Sequence, residues 1–170
     1  MGQVREADLA TQWLPTSWRP RPRAVLPNDP RSYDGPRLAT LLVGLYLVVI
    51  TVRSCIHVFA PDGGAHSIAT IDTSVAGGKN IIAIFGQWGA IQLLLAALLW
   101  VLLVRYRGFV PLIAVVFLCE PFFRGFAGHL KPIETVGTAP GAALNWFVVP
   151  VMLVVLYLSL CSAGPSATAV

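Results

Sequence analysis

The segment IIAIFGQWGAIQLLLAALLWVLLV occupies residues 81–104 and contains no ionisable side chain. It ends abruptly at Arg105 and Arg107. An α-helix rises about 1.5 Å per residue, so a helix of this length covers the roughly 30 Å of hydrocarbon in a bilayer. The segment therefore predicts a helix that crosses a membrane.

Three other apolar segments extend this pattern, at residues 38–60, 109–130 and 142–161. Each is about 20 residues long, which is the length that a transmembrane helix requires. Polar stretches rich in glycine, proline or arginine separate them. The sequence therefore predicts an all-α fold, a membrane-embedded antiparallel four-helix bundle over residues 38–162.

The composition argues against a soluble domain and against a nucleic-acid partner. Hydrophobic residues make up 56% of the chain and charged residues 12%, and the mean hydropathy is +0.72. A soluble domain of this size could not bury so much apolar surface. Basic residues beside a membrane span typically set the orientation of that span, so their position favours a role in topology over nucleic-acid binding. The net charge of +4 comes mainly from six arginines that precede the first span: Arg5, Arg19, Arg21, Arg23, Arg31 and Arg37.

The terminal segments are predicted to be tails. Residues 1–37 contain six prolines, and the stretch RPRPR at 19–23 cannot continue a helix. We expect a disordered or surface-lying tail, with Trp13 and Trp18 able to rest on an anionic bilayer surface. The apolar run begins too late for a secretory signal, so the first span is expected to stay attached. Residues 163–170 form a second, short tail.

The connections between spans predict the orientation. Residues 105–108 form a tight turn, whereas 61–80 and 131–141 form longer loops on the opposite side. Positive charge near span ends is retained in the cytoplasm, so the arginines of the first tail and of the tight turn place both termini there. Four basic residues at the other ends of the spans oppose this assignment without reversing it: Arg53, Lys79, Arg124 and Lys131.

Polar residues inside the spans define a candidate ligand-binding layer. Each span has one polar residue about 23 to 26 Å from its predicted cytoplasmic end, counted at about 1.5 Å per residue. Glu120 and Arg124 are four residues apart on one helical face and are expected to form an ion pair. Arg53 would bring a second guanidinium to Glu120. The candidate layer comprises Arg53, His57, Gln87, Glu120, Arg124 and Asn145.

Three interpretations of this layer stay open. The side chains could snorkel to the outer interface or hydrogen-bond neighbouring helices, as purely structural elements. They could line a pocket for a small anionic or amphiphilic ligand. They could also belong to a proton or ion path, although residues 93–104 and 111–118 offer it no ionisable group.

The second span carries two packing signals. Gln87 and Gln92 are separated by about 140° around a helix, so at most one of them faces the centre. Small residues, Gly86 with Ala90 and Gly89 on the adjoining edge, predict a close approach of another helix.

No motif in the sequence points to a metal, a cofactor or a catalytic centre. Asp62, His66 and Asp72 match no metal-ligand spacing, and the three cysteines show no paired spacing. Nucleophile elbows, HExxH, Walker loops, dinucleotide fingerprints and haem-attachment motifs do not occur in the sequence. No cofactor or metal is predicted. Whether the chain is an enzyme stays open, because a single glutamate or histidine in a dry cavity can serve as acid or base.

Several short segments resemble a known group of proteins. They are GGKN at residues 77–80, FGQWG at 85–89, KPIE at 131–134 and GTAPG at 137–141. Over residues 38–160 the chain resembles small four-helix integral membrane proteins of bacteria, a group that includes the DoxX-like families. The resemblance implies a bacterial cytoplasmic (inner) membrane location and adds no catalytic residue.

The sequence favours a non-enzymatic accessory or small-ligand-binding membrane protein. The first alternative is a membrane enzyme or redox-accessory subunit acting on an amphiphilic substrate, with Glu120 as proton acceptor and Arg53 and Arg124 holding an anionic group. The second is an oligomeric transporter or proton path. Expected partners are membrane lipids, a small anionic or amphiphilic ligand, and a second copy of the chain or another membrane protein.

Overall fold

The computed structural model describes residues 12–164, except the side chains of residues 140–145. Two short 3-10 turns lie at Pro22–Val25 and Arg107–Phe109. The predicted all-α class with four helices is confirmed, and the helix ends lie within a few residues of the expected positions. The four helices are α1 (Arg37–Phe59), α2 (Gly78–Arg105), α3 (Val110–Leu130) and α4 (Pro140–Leu160).

Among the described residues, three helical stretches are long and apolar enough to cross a membrane: Arg37–Phe59, Gly78–Arg105 and Arg107–Leu130. The described apolar stretch of α4, Trp146–Leu160, is shorter. Large apolar side chains on all four helices are exposed, including Leu94 at 69%. Contiguous exposed apolar surface of this kind is unusual for a protein that is surrounded by water.

The chain divides into two compact units. Within the described residues, the first unit contains 12–45, 101–117 and 151–164, and the second contains 46–100 and 118–150. Aliphatic side chains are buried in both. The largest that are fully buried are Val43, Val110, Ile113 and Val155 in the first unit and Leu47 in the second.

Residues 12–36 are hydrogen-bonded to helix ends in the first unit, within the segment for which the sequence predicts a disordered or surface-lying tail. The first N–H groups of a helix and its last C=O groups have no partner inside that helix. At the start of α1, the N–H of Arg37 donates to the carbonyl of Gln12 at 3.1 Å. At the end of α4, the carbonyl of Leu160 accepts from the N–H of Arg21 at 2.9 Å. The segment therefore satisfies backbone groups at two helix ends.

Gly108, in the turn between α2 and α3, forms a backbone hydrogen bond with residues 12–36. Its N–H donates to the carbonyl of Pro30 at 2.9 Å. A β-carbon at this position would lie 2.8 Å from the carbonyl oxygens of both Pro30 and Ser32. Because these are backbone atoms, they could make room only by moving the segment away from the turn.

We expect Gly108→Ala to release this segment, so that trypsin cleaves after Arg23 or Arg31 several-fold faster than in the unaltered protein. The cleavage rate can be measured by mass spectrometry of timed digests. Gly128→Ala is the matched control, because its added β-carbon would meet nothing within 4 Å among the described residues. Equal cleavage rates in the two variants would count against the role of Gly108.

Candidate functional site

Side chains from α1, α2 and α3 meet in the second unit. We call this group the arginine cluster; it consists of Arg53, Trp88, Gln92, Glu120 and Arg124. The Glu120 carboxylate lies between the two guanidinium groups, with Oε2 at 3.0 Å from Arg124 Nη2 and Oε1 at 3.7 Å from Arg53 Nη2. The ion pair predicted from the four-residue spacing of Glu120 and Arg124 is confirmed. Glu120 also pairs with Arg53, which links α3 to α1.

The contribution of α2 to the arginine cluster is a glutamine and a tryptophan. We assign the Gln92 amide oxygen to the side that faces two donors, where it accepts from Arg53 Nη2 at 3.1 Å and from the Trp88 indole N–H at 3.2 Å. The Trp88 ring also faces the Arg53 guanidinium, whose carbon is 5.6 Å from the ring centroid. A cation at this distance is attracted to the face of an indole. Three separate contacts therefore hold Arg53 in place.

Two of these residues were not in the predicted layer. Sequence reasoning allowed Gln87 or Gln92 to face the centre, and Gln92 is the one that contacts Arg53, whereas Gln87 is exposed. Trp88 was missed altogether. A signal for it exists, because Trp88 and Gln92 are four residues apart and therefore share one face of α2.

The charges in the arginine cluster do not balance. Glu120 is the only acidic residue in the four helices, and two arginines face it. With all three groups ionised, one positive charge is in excess. The side chains of Arg53, Glu120 and Arg124 are 23%, 31% and 31% exposed, so an external anion can reach them. An excess charge among apolar helices is unfavourable unless an anion or water compensates it.

Of the remaining residues of the predicted layer, Gln87 is exposed and His57 contacts the arginine cluster only through Trp88. His57 is 3% exposed, and its Nδ1 is 2.7 Å from the carbonyl oxygen of Gly63. Its ring packs against Phe85 and Trp88, with centroid distances of 5.6 and 4.8 Å. His57 thus ties the end of α1 to the following loop and to α2. The side chain of Asn145 is outside the described residues, and the ligand-binding role of the layer stays a prediction.

Asp62 organises the loop that follows α1. Its Oδ1 accepts from the N–H of Gly64 at 2.9 Å, and its Oδ2 accepts from the N–H of Ser67 at 2.7 Å. These backbone hydrogen bonds lower the pKa of Asp62 to about 2, and the bond from Ser67 has the largest effect. Hydrogen bonds of this kind favour the ionised carboxylate.

We expect the stabilising effect of Asp62 to depend on pH. Its pKa in the folded protein lies below the unfolded value of about 3.9, so its contribution is complete above about pH 4 and is lost as the pH falls toward about 2. The difference in melting temperature between the unaltered protein and Asp62→Ala should therefore shrink over that interval. Glu134→Ala, at an exposed loop position, is the control for the general loss of a negative charge. A difference that is constant with pH would contradict this role.

The chain matches no protein-family model, no curated protein and no solved structure. The fold and the site therefore define its class on their own: over residues 12–164 the protein is all-helical, with three described helices long and apolar enough to cross a membrane. In the second unit it carries a cluster of arginines around a single carboxylate.

Proposed function

We propose that this chain is a four-span integral membrane protein without catalytic activity that binds the anionic group of a small amphiphile at the arginine cluster. The observation that carries the proposal is the charge excess of two guanidinium groups over one carboxylate. In an apolar environment this excess favours a bound anion. The apolar helices around the cluster would accommodate a hydrocarbon tail.

The membrane arrangement in this proposal is antiparallel. The described part of the first unit contains the starts of α1 and α3 together with the ends of α2 and α4. That grouping supports alternate directions for successive helices. We propose α4 as the fourth span, because α4 extends over Pro140–Leu160.

The charge distribution supports cytoplasmic termini. The sequence segments of the first unit contain eight basic and four acidic residues, whereas those of the second contain four of each. All of the net charge of the chain therefore comes from segments next to the termini and the α2–α3 turn. Positive charge in such positions is retained in the cytoplasm. The bacterial inner membrane is the proposed location, on the resemblance to small bacterial four-helix membrane proteins.

Cysteine labelling tests this orientation. In a background without native cysteines, a membrane-impermeant maleimide should label Ala76→Cys in intact cells. It should label Arg105→Cys only in inverted vesicles. The reverse pattern would overturn the proposed orientation.

The geometry favours binding over the alternative functions. Both carboxylate oxygens of Glu120 face guanidinium groups, which suits a charge bridge better than a proton acceptor. A proton path is disfavoured because residues 93–104 and 111–118 contain no ionisable side chain. A purely structural cluster is the second candidate, since Glu120 already pairs with both arginines and Gln92 holds Arg53.

Oleate is a suitable probe, because it combines one carboxylate with an apolar chain. Binding to the purified full chain can be measured by native mass spectrometry in detergent. We expect Arg53→Gln to weaken binding about tenfold, the loss of roughly one charge-assisted hydrogen bond. Lys79→Gln removes the same charge from an exposed position and should leave binding unchanged. Equal binding by the unaltered protein and both variants would favour the structural candidate.

A further inference from the structure

A cavity in the first unit forms a second candidate site, separate from the arginine cluster. Its volume is about 580 Å³, within the range of about 300–1,000 Å³ that is typical of small-molecule sites. Most of its wall is the N-terminal segment, at residues 21–28 and 32–35. Gly108 and Ser159 complete the lining. Two of the lining residues, Arg21 and Gly108, also donate the backbone hydrogen bonds that attach this segment to Leu160 and through Pro30 to the α2–α3 turn.

The polar lining of the cavity is rich in donors. Arg21 and Arg23 are the basic residues of the lining, and Asp34 is its only acidic residue. Arg21 Nη1 and Asp34 Oδ2 are 3.6 Å apart, with side chains 46% and 63% exposed. Such an open pair is weak and easily exchanged for another partner. The cavity therefore has one positive charge in excess and one arginine that a ligand can recruit.

A tyrosine at the cavity wall ties the N-terminal segment to the end of α4. The Tyr33 hydroxyl donates to the carbonyl of Ser159 at 3.3 Å. Burial raises the pKa of this hydroxyl above its ordinary value.

The residues around the cavity are of the types that are common where a membrane meets water. The described part of the first unit has seven arginines and two aspartates, and every one of its basic residues is an arginine. The planar guanidinium fork matches the oxygens of a phosphate group. Trp13, Trp18 and Leu26 in the same segment are 55%, 56% and 70% exposed. Tryptophan is enriched where hydrocarbon meets headgroups, which is also where lipid phosphates lie.

We propose that this cavity binds a phosphate group, held by Arg21 and Arg23, and that its natural source is the headgroup of an anionic phospholipid. A free phosphate compound presents the same chemistry and would use the same arginines. The residues that line the cavity are distinct from those of the arginine cluster, so the proposed phosphate site does not require an anion at that cluster.

The test uses the purified full chain with two probes, phosphatidylglycerol and inorganic phosphate. Retained phosphatidylglycerol is counted by native mass spectrometry, and phosphate binding is measured by calorimetry. The double variant Arg21→Gln with Arg23→Gln should weaken binding at least tenfold, since each arginine supplies charge-assisted hydrogen bonds. The matched control is Arg19→Gln with Arg31→Gln, which removes the same charge from the same segment outside the cavity lining. The control should bind like the unaltered protein.

The two probes distinguish the sources. Arginine-dependent binding of phosphatidylglycerol supports a lipid headgroup, and arginine-dependent binding of inorganic phosphate supports a free phosphate compound. Equal losses in the double variant and its control would mean diffuse attraction to a basic surface and would overturn the proposal. If neither probe binds to the unaltered protein, the proposal is overturned as well.

A gain-of-binding variant guards against effects of misfolding. Asp34→Asn removes the carboxylate that competes for Arg21 and leaves the backbone carbonyl that accepts from the N–H of Ala163. We expect binding of the effective probe to tighten several-fold, which an unfolded protein cannot produce. Unchanged or weaker binding in a folded Asp34→Asn protein would contradict the proposed site.

Discussion

Glu120→Gln is expected to destabilise the folded protein by about 2–4 kcal/mol, because it removes the carboxylate that bridges the guanidinium groups of Arg53 and Arg124. The loss should fall short of that for a fully buried pair, since the three side chains stay 23–31% exposed. The free energy of unfolding can be measured by denaturant titration in mixed micelles. Saturating oleate should restore part of the loss, because a ligand that binds only the folded state stabilises it.

Glu134→Gln separates this effect from the general loss of a negative charge. Glu134 lies in the loop between α3 and α4 and is exposed. Its replacement is expected to change the free energy of unfolding by less than about 0.5 kcal/mol, as is usual for exposed positions. Similar losses in both variants would refute a specific role for the Glu120 carboxylate.

Gly89→Ala is expected to destabilise the second unit by about 1–3 kcal/mol through overpacking. A β-carbon at Gly89 would lie 2.5 Å from the β-carbon of His57 and 3.0 Å from its carbonyl carbon. These atoms belong to α1 and cannot be moved by a change of rotamer. The close helix approach that the small residues of α2 predict is therefore found at this position.

Gly86→Ala is the control on the same helix, because we expect it to leave the stability of the protein unchanged or to increase it. Its added β-carbon would lie 3.7 Å from the nearest atom, the carbonyl oxygen of His57, which is ordinary van der Waals contact. Alanine favours the helix over glycine by up to about 1 kcal/mol, so this variant should be as stable as the unaltered protein or more stable. Thermal unfolding monitored by circular dichroism measures both variants. Equal melting temperatures would indicate that Gly89 is not a point of close contact.

Local patterns in the sequence were sufficient to predict the helices and one ion pair. A long uncharged segment is apolar at every position, so its length and boundaries can be read without knowing any neighbour. The spacing of Glu120 and Arg124 is equally local, because residues four apart meet on any α-helix. These features depend on the helical repeat and on the chemistry of individual residues.

Other features depended on contacts between residues far apart in the chain, and only the tertiary structure decided them. The choice of Gln92 over Gln87, and the place of Trp88 beside Arg53, depend on how α2 is rotated about its axis. The attachment of residues 12–36 to the helix ends depends on backbone hydrogen bonds such as that between Arg21 and Leu160. These bonds involve no side chain, so the sequence gives no signal for them. Hydropathy and helical spacing determined the helices of this protein, whereas helix rotation and long-range backbone hydrogen bonding determined which polar groups meet.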